Sequence, residues 1–331
     1  FIVFNHATYP HFSRLLRELE VPIERSDMSF AASLDGGRIE YGLRDLRALL
    51  AQPLNTLSPT FLGMLRDIVR FNRGAEAAVA DGQSIGELLA ALGLGAGFRR
   101  LYMRPLCGAI WSTPELDVDA LPATLVVRFM RNHGLLGTTG QHQWWTVRGG
   151  SRAYVERLAQ RLVAGGVALR TGARVQGVAR CDGGVKVAVA GAAPARFDHA
   201  VLACHADQAL RLLADADATE RRLLGAIGYR TNRAVLHADP RQMPRREVCW
   251  SSWTCRSGSL GGGIDVTYWM NRLQNLPPHD PLFVTLNPGR PIPDALVLKR
   301  AHRGLDLDAI EAKLGEGLTD VEPRLHQSSR T

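Results

Sequence analysis

From residue 149 to 213 the chain reads as a helix, three strands, a fourth short apolar run and a second helix, an order that confines it to α/β architectures without choosing among them. Gly149-Gly150 permits a tight backbone turn into a helix beginning near Ser151, on which Tyr154, Val155, Leu158 and Leu162 recur at helical spacing. Gly165-Gly166 ends that helix. Residues 167–171, 174–180 and 185–190 then read as strands, the last two closed into a hairpin by Cys181-Asp182-Gly183-Gly184. The run Ala200-Val201-Leu202-Ala203 is short, apolar and followed by a helix, the pattern of a strand buried in an α/β sheet.

With 331 residues, 46% of them hydrophobic, the chain can bury a core large enough for two interleaved lobes. No apolar run approaches the length of a membrane span, which leaves a soluble chain or one in peripheral membrane contact. Its five cysteines are odd in number and form no CxxC pair, so a reducing cytoplasm is expected rather than a disulfide framework. Cys249 and Cys255 flank a Trp-rich segment, but no histidine stands at ligand spacing and no metal is expected. The net charge of +8 comes from arginines scattered along the chain, with Lys186, Lys299 and Lys313 its lysines. No nucleic-acid-binding motif accompanies that charge, and no nucleic-acid partner is expected.

Elsewhere the periodicity predicts helices over 9–19, 59–73, 98–110 and 121–132, with Ser84-Ile85-Gly86-Glu87 a capping box opening another. Residues 30–34 and 38–41, joined by Asp35-Gly36-Gly37, read as a hairpin. Residues 233–237, 248–255, 266–271, 282–286 and 296–301 read as strands of a mixed or antiparallel sheet. Gly93-Leu94-Gly95-Ala96-Gly97 is one residue short of a Gly-x-Gly-x-x-Gly phosphate loop and follows a helix rather than a strand, so it reads as a helix–helix connection. The run from Gly258 to Gly263 reads as a flexible loop, and residues 305–331 as a solvated tail.

The block from 149 to 213 resembles the flavin-dependent amine oxidase superfamily, which includes monoamine oxidases, protoporphyrinogen oxidases and phytoene desaturases. The resemblance implies FAD as cofactor, with the strand Ala173-Arg174-Val175-Gln176-Gly177-Val178 laying its backbone against the adenine at Val175. It implies that the segment ending Ala203-Cys204-His205 returns to the cofactor, with His205 where relatives often have proline. The opening Phe1-Ile2-Val3-Phe4-Asn5 is similar to the run that passes beside the flavin ring in relatives, which assigns Phe1, Ile2 and Val3 that place. Relatives carry a Gly-x-Gly-x-x-Gly turn before this run and a Gly-rich strand-to-helix segment at the C-terminal end. Neither has a counterpart here, so the chain reads as truncated at both ends.

Together with Asn132-His133-Gly134, Trp145-Thr146-Val147-Arg148-Gly149-Gly150-Ser151, His205-Ala206-Asp207 and Tyr268-Trp269-Met270-Asn271-Arg272, that opening is similar to a bacterial group described as predicted NAD/FAD-binding, amine-oxidase-like proteins. Association of that group with fatty-acyl-modifying enzymes hints at a lipid substrate. The expected layout is a remnant of the FAD-binding lobe and a hairpin (1–41), the helical part of a substrate lobe (42–143), the second half of the FAD-binding lobe (144–215), the sheet part of the substrate lobe (216–304) and the tail (305–331). The fold class is then α/β, α+β mixed: an incomplete Rossmann-like FAD-binding lobe interleaved with a helical and mixed-sheet substrate lobe.

In flavin oxidation the cofactor supplies the redox chemistry and the protein positions the substrate, so no catalytic acid or base is obligatory and none is assigned. Trp144, Trp145, Trp250, Trp253, Trp269 and Tyr268 could line an apolar substrate tunnel or simply pack the core. His205 and His133 could face the flavin or substrate, or serve as hydrogen-bonded structural histidines. Cys204 could be redox-active, but as a cysteine beside a buried strand it reads as a small hydrophobe. No Gly-x-Ser-x-Gly elbow or His-Glu-x-x-His motif supports a hydrolase. The expectation is an FAD-dependent oxidoreductase acting on an apolar small molecule, a fatty-acyl compound being one candidate, by hydride transfer. The alternative is a non-catalytic remnant that binds a lipid or protein without retaining FAD.

Overall fold

A computed structural model describes residues 2–111, 115–137, 142–229, 231–257 and 264–302. The chain divides into a larger unit, Phe1–Arg157 with Asn232–Thr331, and a smaller one, Leu158–Thr231. Twelve strands occur among the described residues. They are β1 (Ile23–Ser26), β2 (Phe30–Leu34), β3 (Ile39–Gly42), β4 (Trp144–Val147), β5 (Val175–Cys181) and β6 (Gly184–Val189). Next come β7 (Ala195–Phe197), β8 (Arg233–His237), β9 (Trp253–Arg256), β10 (Asp265–Trp269), β11 (Phe283–Leu286) and β12 (Val297–His302).

The larger unit is built on a seven-stranded sheet in the order β12-β8-β11-β10-β9-β2-β3. Every pairing is antiparallel except β2 with β9. Because side chains alternate across a sheet, this register sorts them into two faces. One face presents Ala32, Tyr41, Cys255, Val266, Tyr268, Val284 and Leu286 to an apolar core shared with Phe61, Met64, Phe71, Leu88, Leu101 and Met130 of the helices. Those helices are Pro59–Ala78, Ile85–Ala91, Arg104–Trp111 and Ala123–Asn132, with a π-helical turn at Arg99–Met103. The opposite face is polar. One row across it reads Asp265, Arg256, Ser33, Glu40, and another Thr285, Thr267, Thr254. All seven side chains are nonetheless buried.

Much of the local reading holds. The Asp35–Gly37 turn joins β2 to β3, and both halves of the Ser84/Glu87 capping box form. The segment read as one helix over 98–110 is interrupted, and Pro105 supplies the reason. Lacking an N–H, it cannot bond the Leu101 carbonyl four residues back, and the Tyr41 hydroxyl donates to that oxygen instead.

The smaller unit holds the antiparallel sheet β5-β6-β7. Gly183 turns the hairpin at a φ of 67°, and a Cβ at Gly184 would lie 2.4 Å from the Phe197 carbonyl, so only glycine lets β7 approach. Two expected strands of this unit do not form. Residues 167–171 and 200–203 make no strand pairing among the described residues, and Val201 is 91% exposed rather than buried. An apolar run becomes a strand only where a neighbour offers its backbone. The expected Ser151 helix forms over Ser151–Ala164, but Val155 and Val163 of it are exposed. No helix among the described residues is long and apolar enough to cross a membrane.

Candidate functional site

On the helix-covered side of the large sheet, four rings form a column. Phe129 and His133, one helical turn apart, stack with centroids 3.8 Å apart. Trp144 lies parallel to His133 at 6.0 Å, and Trp111 meets Phe129 edge-on at 5.0 Å. The Tyr9 ring approaches His133 from the side at 6.5 Å. His133 Nδ1 lies 2.8 Å from the Phe129 carbonyl. A carbonyl only accepts, so Nδ1 carries the proton and the neutral ring's Nε2 is a bare acceptor. Burial holds the imidazole below its ordinary range, and Nε2 has no hydrogen-bond partner among the described residues. The cluster therefore combines apolar ring faces with one hydrogen-bond acceptor.

Ile2 and Val3 run beside this column. Phe4 pairs with Trp145 through backbone bonds of 2.9 and 2.7 Å, and the Thr146 hydroxyl donates to the Ile2 carbonyl at 2.8 Å. Val3 shares the core with Trp144. Phe1 lies outside the described residues, as do the Gly258–Gly263 run and the 305–331 tail.

Val175, Ala203 and His205 belong to the smaller unit. Val175 opens β5, an edge strand whose second edge is engaged, among the described residues, by the Val178–Leu213 bridge and by bonds to Ala214 and Asp215. Ala203 is exposed. His205 precedes the Ala206–Leu212 helix and stacks on Tyr229 at 4.6 Å, while the Tyr229 hydroxyl accepts the Ala206 N–H.

The aromatic residues considered for one tunnel separate. Trp253 and Tyr268 meet edge-on at 4.9 Å on the helix side. Trp250 and Trp269 meet at 5.4 Å on the other side of the sheet. A single tunnel lined by all of them does not form, because successive residues of β10 face opposite ways. The two cysteines weighed as metal ligands part for the same reason. Cys255 faces the helices, whereas Cys249 lies in the 238–252 segment that covers the polar face.

That polar face was missed in the sequence, where its residues read as ordinary strand alternation. Glu40, fully buried, accepts from Ser33 Oγ, the Arg245 N–H and Arg246 Nη1 at 2.8–2.9 Å. Arg256 donates to Gln242 Oε1 at 3.0 Å. His237 accepts the Asp239 N–H on Nδ1 at 3.0 Å, so its proton is on Nε2, which donates to Thr285 Oγ1 at 2.7 Å. Thr285 then donates to Thr267 Oγ1 at 2.8 Å, and Thr267 to the Gln242 carbonyl. Burial pushes His237 down to about 4. Bonds joining Gln242, Arg245 and Arg246 to Arg256, Thr267 and Glu40 hold the 238–252 cover on the sheet, while Thr254 Oγ1 and one Asp265 oxygen on the same face have no partner among the described residues.

The glycine run at 93–97 is a turn between helices. Its Gly95 N–H donates to the buried Asp67 carboxylate at 2.8 Å, so it is not available to a phosphate.

The sequence matches the family model of flavin-containing amine oxidoreductases over residues 2–296. Similar solved structures include putrescine oxidase bound to putrescine, at 14% identity and a TM-score of 0.54 over 86% of this chain and 62% of that one. A CLA-producing fatty acid isomerase from P. acnes matches at 13% identity and a TM-score of 0.54, over 92% of this chain and 67% of that one. An oxidoreductase from Methanosarcina mazei matches at 13% identity and a TM-score of 0.58, over 97% and 71%. At such identities these likenesses speak for the fold alone, and the chain spans 62% of the length of the putrescine oxidase structures. No curated protein sequence matches it. A family match over nearly the whole described chain decides the assignment: the chain belongs to the flavin-containing amine oxidoreductase family.

Proposed function

We propose that this chain forms the greater part of an FAD-dependent oxidoreductase that oxidises a hydrophobic small molecule by hydride transfer. A fatty-acyl compound is the substrate class we favour. The observation that carries the reading is the family match over residues 2–296, which takes in both the Ile2–Val3 run and the Val175 strand. FAD, when bound, accepts the hydride. In this reading Val175 of β5 gives the adenine a backbone contact, Ala203 and His205 belong to the segment returning to the cofactor, and Phe1, Ile2 and Val3 to the run along the ring. Substrate would lie against Phe129, Trp111 and Trp144, rings that exclude water, and His133 Nε2 would accept a hydrogen bond from its polar group. Cytoplasmic residence fits five cysteines with none paired among the described residues.

A second reading, non-catalytic capture of a lipid or protein, is favoured by the exposed Val163, Val167, Leu169 and Val201 of the smaller unit. One experiment separates the two. The purified chain is incubated with FAD, desalted and its visible spectrum recorded, and a candidate acyl substrate is then added anaerobically. Retained flavin absorbance that bleaches with substrate is the expected result. A colourless protein refutes cofactor retention by this chain and leaves the second reading.

A further inference from the structure

From Leu46 to Ala75 the surface of the larger unit combines apolar exposure with one sign of charge. Thirty residues run without a carboxylate except Asp67, and Asp67 is buried, its side chain 1% exposed beneath Arg66 and Arg70. Four arginines, at 47, 66, 70 and 73, are exposed on the same stretch. Arg47 makes no ion pair among the described residues.

The exposed apolar side chains there are large. Leu46 is 73% exposed and shares one side of the Leu46–Leu49 turn with Leu50. Leu54 and Leu57, 73% and 77% exposed, are three apart in the 3-10 turn Pro53–Leu57, where such positions eclipse. On the Pro59–Ala78 helix, Leu62, Arg66, Val69 and Arg73 form one outward stripe at helical spacing. Leu46, Arg47, Leu50, Ala51 and Val248 also border an open cleft of about 500 Å³.

We propose that residues 46–75 form a docking surface for anionic phospholipid. Leucines on short turns insert at the level of the acyl boundary, while arginines on the same stretch meet headgroup phosphates. Charge argues for this occupant. An apolar partner of either sign could bury the leucines, but the stretch carries four exposed arginines over one buried carboxylate, and the exposed Asp45 and Glu76 at its two ends are each paired with an arginine outside it, Arg44 and Arg131, so the excess positive charge selects an anionic surface. The inference stands apart from the proposed oxidation, since it uses none of the residues assigned to FAD or substrate.

The test is sedimentation of the full chain with vesicles of phosphatidylcholine alone and of phosphatidylcholine mixed with phosphatidylglycerol. Binding is expected to the mixed vesicles only, and to fall with added salt. Arg47→Gln should weaken it roughly fivefold, the effect of one cation at such a surface. The double variant Leu54→Ser, Leu57→Ser should weaken it roughly tenfold or more with an unchanged circular dichroism spectrum. Failure to bind the mixed vesicles overturns the proposal, as does full binding by the double variant. It is equally overturned if, without lipid, the double substitution converts a dimer to a monomer, for a second copy then covers this face.

Discussion

His237 makes the stability of the larger unit sensitive to mild acid, and the structure sets both the sign and the size. The ring is fully buried, with Nδ1 occupied by the Asp239 N–H and Nε2–H by Thr285. Protonation would set a new N–H against an existing donor, and burial opposes the charge, so the folded imidazole titrates at about 4 against 6.5 when unfolded. Below 6.5 the unfolded chain therefore binds more protons than the folded one, and stability falls as pH drops from 6.5 towards 4. Going from pH 7 to pH 5 this single group should remove about 2 kcal/mol, out of a limit of about 3 kcal/mol below both values. Two other carboxylates do not mimic it. Asp27 is desolvated, but hydrogen bonds from Arg272, Ser29 and Ser252 outweigh that and hold it at about 2, so its contribution is lost only as pH falls from 3.8. Burial raises Asp265, so its proton uptake works in the opposite direction.

The assay is urea unfolding at pH 7 and pH 5, followed by tryptophan fluorescence, since all six tryptophans lie in the larger unit. The variant is His237→Gln, whose amide offers an acceptor and a donor but does not titrate. It will be less stable at pH 7 if its amide fits poorly, but the reasoning rests on the slope. Wild type should lose about 2 kcal/mol more than the variant between the two pH values. Equal losses would refute a neutral, doubly bonded His237.

Three further outcomes follow from the packing. Tyr41→Phe keeps the ring in place but strands the Leu101 carbonyl that Pro105 cannot serve, and should cost about 1–3 kcal/mol in the same urea assay. Asp67→Ala should cost about 2 kcal/mol by freeing the Gly95 N–H and releasing Arg70 from its place over the end of the Ile85–Ala91 helix, with Asp67→Asn milder because an amide oxygen still accepts. Of the five thiols, Cys204 and Cys181 should react with a disulfide reagent in the native protein. Cys107, Cys249 and Cys255 should react only in denaturant, as all three are buried and burial pushes Cys107 up to about 12 and Cys249 up to about 11.

What the sequence made legible follows the range of the forces involved. The capping box at Ser84 and Glu87 and the glycine turns after Asp35 and Asp182 are settled by neighbours within a few residues, and they form where expected. The runs at 167–171 and 200–203 have the composition of strands, but a strand is completed by a partner distant in sequence, and composition does not supply one. The interruption at Pro105 lay in between. Its missing N–H was visible, whereas the hydroxyl that compensates comes from Tyr41, more than sixty residues away.

The candidate site divides along the same line. Phe129 and His133 stand one turn apart, a spacing the sequence contains but does not mark as a site, and nothing local places Trp144 parallel to the imidazole. The polar face was hidden by a different cause. Alternation such as Asp265, Thr267, Trp269 against Val266, Tyr268 reads as one wet and one dry side, and residues 238–252 fold over the side that should be wet. Charged groups such as Glu40 and Arg256 tolerate that burial only because each meets a partner fixed by strand register. A cover segment that lost its register would expose several bonded groups at once, so the network should open cooperatively with the sheet rather than residue by residue.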